Sequence, residues 1–275
     1  MKYLVVAHHG DFKDAPESSE LAITSAIAKG ADVVEIDVRI TKDGQFVILH
    51  DPSLDRVSNG TGFVNEYTLR ELKQLSLTSD GKITEYKILT LEEALQIIKG
   101  KILVNLDIKT GGIKEILNVC KRVGVVNQVV WKQQFYPGIL KEPGVIFMPR
   151  VTSMEQLKDT LALMKPVVPT ATEVIFPKAT DPVGAEAIPL LKKIGSLILA
   201  NALWNGRESG GWDDEQAVQN PEVYMELIKN GVDIIQTDEL ELLINYLRSK
   251  NLHSGKICPV LYGANIDPAK PMPGM

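Results

Sequence analysis

The chain has 275 residues, of which 44% are hydrophobic and 24% charged, which is typical of a globular protein and long enough for one α/β barrel of about 250 residues. The formal net charge of −5 and the pI of about 5.5 argue against broad nucleic-acid binding, which needs clustered Lys and Arg. No apolar run in the sequence approaches the roughly 18 residues of a membrane span.

The N-terminus passes at once from a short apolar run at 3–7 into polar residues. That run is too short for the apolar core of a signal peptide. We therefore expect a cytoplasmic protein, or a periplasmic or secreted one if a leader has been removed.

Short apolar runs rich in β-branched residues recur along the chain, with helical patterns between most of them. The runs predicted as strands are 3–7, 32–37, 102–106, 128–131, 145–148, 173–176, 196–200 and 233–236. Eight strands that alternate with helices predict a (β/α)₈ TIM barrel of the α/β class. We expect this single domain to occupy residues 1–253.

Helices are predicted between these strands from apolar spacing and end signals. Their ranges are 19–29, 68–75, 90–98, 154–164 and 221–229. Gly30 suits the position after the first helix, and Thr90 with Glu93 forms a capping-box pattern.

Three segments interrupt the alternation. Asp43-Gly44 predicts a hairpin turn, and the Ser-, Gly-, Thr- and Lys-rich stretch 51–89 predicts a small excursion between the second and third parallel strands. The glycine-containing loop 205–220 is long enough to be functional or disordered. Residues 254–275, with four prolines, are expected to form a C-terminal tail.

The cysteines and the last histidine favour structural interpretations. Cys120 follows a helical apolar pattern and is expected to be a buried small residue, and with Cys258 it gives no zinc-ligand spacing. His253 is expected to be a surface residue or a residue at the C-terminal end of a helix.

Acidic side chains occur inside or at the ends of otherwise apolar strands. Glu35 and Asp37 are two residues apart, so their side chains leave the same face of the strand. Asp107 and Lys109 repeat this spacing at the end of the third strand. The carboxylates suit a hard divalent cation, and Lys109 suits a phosphate oxygen. Structural salt bridges are the alternative interpretation.

Three of the four histidines, His8, His9 and His50, lie at ends of predicted strands. Histidine titrates near neutrality, so two of them beside a metal-held phosphodiester can serve as base and acid. A structural hydrogen-bonding role is the alternative for any one of them.

These residues belong to motifs that resemble the glycerophosphodiester phosphodiesterase family, in its bacterial, metal-dependent form. The similarity is dense over 3–75, resumes at 106–109, and ends at Trp204 and at 231–238, while 110–195 matches only in its rhythm. The motifs are His8-His9-Gly10, Ala15-Pro16-Glu17-Ser18-Ser19, Glu35-Ile36-Asp37-Val38, Thr41-Lys42-Asp43-Gly44, His50-Asp51, Leu54-Asp55-Arg56 and Leu106-Asp107-Ile108-Lys109.

The resemblance implies a barrel enzyme with a divalent metal, Ca²⁺ or Mg²⁺, held by Glu35, Asp37 and Asp107. It further implies that His8 and His50 are the catalytic pair.

The resemblance also implies that Lys109 binds phosphate and that Glu17 joins the polar network of the site. Trp204 is expected either to form a wall beside the alcohol moiety or to pack on the barrel rim.

The sequence departs from the family pattern at three positions. His9 stands where the family has an arginine, so a permanently charged bidentate phosphate clamp is replaced by a weaker donor. Asp107 is one methylene shorter than the usual Glu, and Ser18 replaces an Asn.

The expected function is hydrolysis of a small glycerophosphodiester to glycerol 3-phosphate and an alcohol, by acid–base catalysis at His8 and His50. No nucleic-acid partner is expected. One alternative is a phosphodiesterase that acts on lysophospholipids or other alkyl phosphodiesters. The other is a catalytically weakened phosphate-ester binding protein, an alternative suggested by His9.

Overall fold

The structure of the protein is a computed structural model that describes residues 3–132, 138–204, 206 and 208–254. The predicted C-terminal tail, apart from Ser254, lies outside the described residues. Within the described part, every helix is too short or too polar to cross a bilayer.

The described chain contains a set of short strands, most of which match the predicted runs. They are β1 (Leu4–Ala7), β2 (Val33–Ile40), β3 (Phe46–Ile48), β4 (Thr78–Ser79), β5 (Lys82–Ile83), β6 (Leu103–Ile108), β7 (Val129–Lys132), β8 (Ile146–Met148), β9 (Arg150–Val151), β10 (Ala171–Val174), β11 (Leu197–Asn201) and β12 (Ile234–Thr237).

The parallel strands form a nearly closed barrel in the order β8-β7-β6-β2-β1-β12-β11-β10-β9. Pro149 separates β8 from β9, so β8 pairs with β7 and β9 pairs with β10. Proline cannot donate a backbone hydrogen bond, which explains the interruption. Because β8 and β9 together fill one position, the barrel has eight positions and the predicted TIM barrel is confirmed.

Helices lie between the strands. They are α1 (Glu20–Lys29), α2 (Leu69–Leu72), α3 (Leu91–Ile98), α4 (Ile113–Val123), α5 (Met154–Met164), α6 (Ile188–Ile194), α7 (Asp214–Gln219), α8 (Val223–Lys229) and α9 (Leu240–Ser249).

Local sequence signals fix both ends of α1 and the start of α3. The Ser19 side chain accepts a hydrogen bond from the backbone of Ala22, and Gly30 ends α1 with a φ of 93°, which glycine adopts readily. The capping box of Thr90 and Glu93 opens α3. These predictions are confirmed.

Several predicted boundaries are wrong for reasons of tertiary contact. β10 runs from Ala171 to Val174, two residues before the predicted strand, because Phe176 leaves the barrel and pairs with the loop at Ser209. Strand β2 continues to Ile40 because the predicted hairpin brings β3 against it. The predicted loop 205–220 contains α7.

His253 corrects another expectation. It is buried, and its Nε2 lies 2.9 Å from Asp32 Oδ2, so it is not a surface residue. Asp32 Oδ2 also accepts the backbone N–H of Val5, which ties the end of the described chain to the first strand. Cys120 is buried, as predicted.

The inside of the barrel is apolar at its base and polar above. Ten buried side chains form the base: Leu4, Val6, Val33, Leu103, Val130, Ile146, Met148, Ala171, Leu199 and Ile234. Two residues further along β2, β6, β7, β10, β11 and β12 the inward side chains are polar. This change lies towards the carboxyl ends of the strands, where TIM-barrel active sites form.

Candidate functional site

Three buried carboxylates converge above the apolar base of the barrel. Strands β2 and β6 run side by side with Asp37 opposite Asp107. Glu35 precedes Asp37 on the same face of β2. Each residue contributes a carboxylate oxygen, and these oxygens lie within 4.8 Å of one another. The structure thus brings together the residues predicted as a metal site.

The electrostatics of this triad suit a bound cation. Burial and the neighbouring Asp37 raise the pKa of Glu35. Burial also opposes the charge on Asp37, but His9 and Lys109 outweigh it and hold the pKa of Asp37 well below its usual range. Among the described residues, no donor bonds to Asp107 Oδ1, although that atom is buried. Closely spaced buried oxygens without donors can hold a divalent metal ion, so the residues fit such an ion.

Lys109 lies against two carboxylates of the triad. Its Nζ is 3.1 Å from Asp37 Oδ1 and 2.9 Å from Asp107 Oδ2. Burial disfavours its charge, but these two carboxylates outweigh burial and raise the pKa of Lys109. A permanent positive charge therefore lies at the edge of the triad.

A second lysine, Lys132, was missed by the sequence reasoning. Its Nζ is buried, 3.4 Å from Asp107 Oδ2 and 3.5 Å from Glu173 Oε2. Burial again opposes the charge, and Glu173, Glu35 and Asp107 raise the pKa of Lys132 above its usual range. The signal was available, because Lys132 follows the inward-facing Val130 by two residues on β7.

His9 lies against two of the three carboxylates of the triad. Its Nε2 is 3.0 Å from Asp37 Oδ2 and 3.9 Å from Glu35 Oε2, and its Nδ1 is 3.8 Å from Glu17 Oε1. Burial disfavours the imidazolium, but its contacts with Asp37 and Glu35 raise the pKa of His9 to about 9. The His9 side chain is thus held by carboxylates.

His8 lies beside His9, with ring centroids 3.7 Å apart. Its Nδ1 is 2.7 Å from Asp238 Oδ1, a contact that orients the ring and leaves Nε2 as the other reactive nitrogen. Burial and the nearby His9 lower the pKa of His8. The neutral form of His8 is therefore favoured.

His50 lies on the other side of His9, at a centroid distance of 5.0 Å. Its Nδ1 is 2.7 Å from Asp51 Oδ1, so it too has a carboxylate on one nitrogen. Arg39 Nε donates to the His50 carbonyl at 2.9 Å and holds the backbone there. The two predicted catalytic histidines thus flank His9.

Glu17 contributes to this side of the site through Arg56. Two Arg56 nitrogens donate to the Glu17 carboxylate at 2.5 and 2.8 Å, and Arg56 Nε donates to Asp51 Oδ2 at 2.7 Å. The hydrogen bonds from Arg56 lower the pKa of Asp51 to about 2. The guanidinium therefore links the Glu17 segment to the aspartate that supports His50.

Trp204 lies at the rim, with 41% of its surface exposed. Its Nε1 donates to Glu239 Oε1 at 2.9 Å, and Lys13 Nζ is 5.6 Å from the ring centroid. Its backbone N–H points to Asp238 Oδ2 at 3.4 Å. Trp204 therefore adjoins the residue that supports His8.

Asp214 supports the same region from below and was not anticipated. Its carboxylate is 2.7 Å from each of three donors, the Tyr224 hydroxyl, the Thr237 hydroxyl and the Asp238 backbone N–H. This buried network fixes the start of the segment after β12. The neighbouring Asp213 caps the start of α7, because its side chain accepts a hydrogen bond from the backbone N–H of Gln216.

Two family models match successive parts of the chain. The model of the glycerophosphoryl diester phosphodiesterase family matches residues 8–141. A second model, of a domain of unknown function, matches residues 147–247.

Curated relatives match the first part of the chain. A glycerophosphodiester phosphodiesterase of Caldanaerobacter subterraneus subsp. tengcongensis is 44% identical over 125 residues, covering 42% of this chain and 51% of the relative. One of Bacillus altitudinis is 34% identical over 112 residues, covering 38% and 44%. The chain thus spans about half the length of these relatives.

Solved structures match nearly the whole chain. A glycerophosphoryl diester phosphodiesterase of Parabacteroides distasonis has a TM-score of 0.76 at 28% identity, covering 90% of this chain and 87% of that one. A phosphodiesterase of Oleispira antarctica, solved with the product sn-glycerol-3-phosphate, has a TM-score of 0.68 at 22% identity, covering 90% and 97%. The latter likeness concerns the fold.

Proposed function

We propose that the chain is a member of the glycerophosphoryl diester phosphodiesterase family and that it hydrolyses glycerophosphodiesters to glycerol 3-phosphate and an alcohol. One observation carries the proposal: two histidines, each backed by an aspartate, flank three buried carboxylates whose oxygens lie within 4.8 Å of one another. We assign this activity to a single domain over residues 1–253.

We propose Glu35, Asp37 and Asp107 as the ligands of a divalent cation. An all-oxygen set without thiolates suits Ca²⁺ or Mg²⁺. When bound, such a cation neutralises phosphate oxygens and acts as a Lewis acid. Lys109, whose Nζ contacts two of these carboxylates, is placed to attract a phosphate oxygen as a point charge.

His8 and His50 are proposed as the acid–base pair. Each has its Nδ1 against a carboxylate oxygen at 2.7 Å, which fixes the tautomer and leaves Nε2 to exchange a proton. One of the two accepts the proton of the attacking hydroxyl, and the other gives a proton to the leaving alkoxide.

The remaining predicted residues support this chemistry. His9 offers a donor beside Asp37. Glu17 binds Arg56, which also contacts Asp51, the aspartate beside His50. Trp204 borders the space next to Asp238. We propose that Trp204 lies beside the alcohol moiety.

The test is phosphodiester hydrolysis by the purified chain. Release of glycerol 3-phosphate from glycerophosphocholine and glycerophosphoethanolamine is measured with Ca²⁺, with Mg²⁺ and with a chelator. We expect turnover that requires the metal and is lost in His50→Ala. A folded protein that shows no turnover with either cation contradicts the proposal.

One feature favours an alkyl phosphodiester as a second candidate substrate. A cleft of about 450 Å³ adjoins Lys109 and Arg39. Its apolar side is lined by Ile40, Pro52, Val64 and the half-exposed Phe63, and its polar side by Asn65, Glu66 and Thr110. Two cations beside apolar side chains suit a phosphate with an alkyl chain. Faster release of choline from lysophosphatidylcholine than from glycerophosphocholine would support this candidate.

A further inference from the structure

A second polar group inside the barrel takes no part in the proposed chemistry. We call it the interior polar cluster, and it consists of Lys132, Glu173, Asn201 and Gln236, which lie on β7, β10, β11 and β12. Their exposed fractions are 5%, 0%, 3% and 1%. Buried polar side chains are expensive unless they are paired, so this cluster calls for an explanation.

The cluster is connected to the carboxylate triad. Lys132 Nζ lies between Asp107 Oδ2, at 3.4 Å, and Glu173 Oε2, at 3.5 Å. Asn201 Nδ2 donates to Glu173 Oε1 at 2.7 Å and to Glu208 Oε2 at 2.6 Å. A continuous polar path therefore runs from one proposed metal ligand to the opposite half of the barrel.

Three acceptor atoms of the cluster have no hydrogen-bond donor in the described part of the chain. Among the described residues, none donates a hydrogen bond to Glu173 Oε2, Asn201 Oδ1 or Gln236 Oε1, although all three atoms are buried. Asn201 and Gln236 are register partners on β11 and β12, so their side chains leave the same face. Three neighbouring acceptors without donors favour a ligand that brings donors into the barrel.

The charges of the cluster decide which kind of donor fits. Lys132 already places an ammonium against Glu173, and Arg150 Nε lies 3.9 Å from Glu173 Oε1. A further cation would be repelled by these two groups. A hydroxyl donates without charge and can also accept from Lys132, so hydroxyl groups match the cluster better.

We propose that the interior polar cluster is a subsite that recognises the hydroxyl groups of the substrate. This inference rests on the proposed function and deepens it. The hydroxyls belong either to the glycerol moiety or to a hydroxylated leaving alcohol, and the experiment separates these sources.

The first test uses the unmodified protein with Ca²⁺ or Mg²⁺. Glycerol 3-phosphate and propyl phosphate, which lacks the two hydroxyls, are compared by calorimetry as ligands. We expect glycerol 3-phosphate to bind about 10- to 100-fold more tightly, because hydrogen bonds to charged partners discriminate by about that factor. Equal affinities contradict recognition of the glycerol hydroxyls.

The second test locates the recognition. The ratio of kcat/KM for glycerophosphocholine to that for bis(4-nitrophenyl) phosphate, a diester without hydroxyls, is measured in Glu173→Gln and Asn201→Leu. We expect the ratio to fall about tenfold or more in each. Glu226→Gln is the matched control, since Glu226 is exposed on α8 and pairs with Lys229, and it should keep the wild-type ratio.

Glycerophosphoinositol distinguishes the two sources of hydroxyl. An equal fall for choline and inositol esters assigns the subsite to glycerol, whereas a larger fall for the inositol ester assigns it to the leaving alcohol. Two folded variants that keep the wild-type ratio for both esters overturn the subsite. Failure of the proposed function looks different, because the wild type would then release no glycerol 3-phosphate from glycerophosphocholine.

Discussion

The two halves of the barrel supply different parts of the site. Strands β1, β2 and β6, with the excursion after β3, carry the carboxylate triad and all three histidines near it. Strands β7 to β12 carry the interior polar cluster, and α7, between β11 and β12, carries the buried Asp214, which accepts the backbone N–H of Asp238. The first half therefore holds the proposed reacting groups, and the second half orients them and shapes the space beside them.

The two histidine–aspartate pairs show this difference most clearly. Asp51 belongs to the first half, and the half-exposed Arg56 compensates its charge. Asp238 follows β12. Its backbone N–H donates a hydrogen bond to the Asp214 carboxylate, and its own carboxylate accepts the backbone N–H of Trp204. One pair thus depends on a surface ion pair and the other on a buried hydrogen-bond network.

The largest effect is expected at His50. His50→Ala removes one proposed proton-transfer group, and we expect kcat to fall by about 10²- to 10⁴-fold. The melting temperature should change little, because 41% of this side chain is exposed. Steady-state kinetics and a thermal melt measure both quantities, and near-wild-type turnover would remove His50 from the mechanism.

Metal binding at the carboxylate triad of the first half is expected to have the second-largest effect, which is on the stability of the folded protein. Burial and Asp37 destabilise the charge on Glu35, and a divalent cation relieves that repulsion. At about 100 times its Kd, Ca²⁺ or Mg²⁺ should add about 2.7 kcal/mol to the free energy of unfolding. Asp107→Asn should weaken the shift and His50→Ala should keep it. A chelator that leaves the wild-type melt unchanged would argue against the triad as a metal site.

Asp238 is expected to have the next largest effect. Asp238→Asn keeps the shape of the side chain but weakens the hold on His8 Nδ1, and we expect kcat to fall about 10- to 100-fold with KM little changed. Asp238→Glu should recover part of the loss. An unchanged kcat would mean that the second half does not orient the first.

The sequence predicted the two halves with unequal success. Glu35 and Asp37, two residues apart on one strand, and the dense motifs around His8 and His50 made the reacting groups legible before the fold was known. Lys132 and Glu173 are far apart in the chain and meet because β6, β7 and β10 lie around one barrel. No local sequence pattern links such residues. The one signal that could have identified Lys132 as an inward-facing side chain was the alternation of side chains along its strand.

The smallest effect is expected at Arg56. The Arg56 side chain is 51% exposed, and solvent screening makes such exposed ion pairs worth at most about 1 kcal/mol. Arg56→Gln should therefore lower kcat by no more than about fivefold, and added salt should shrink the difference between variant and wild type. Asp238→Asn should show little salt dependence, because only 12% of the Asp238 side chain is exposed. If Arg56→Gln instead lowers kcat as much as Asp238→Asn at every ionic strength, the two histidine–aspartate pairs depend equally on the residues that hold them. The division between a half that reacts and a half that orients would then fail at its most direct point of comparison.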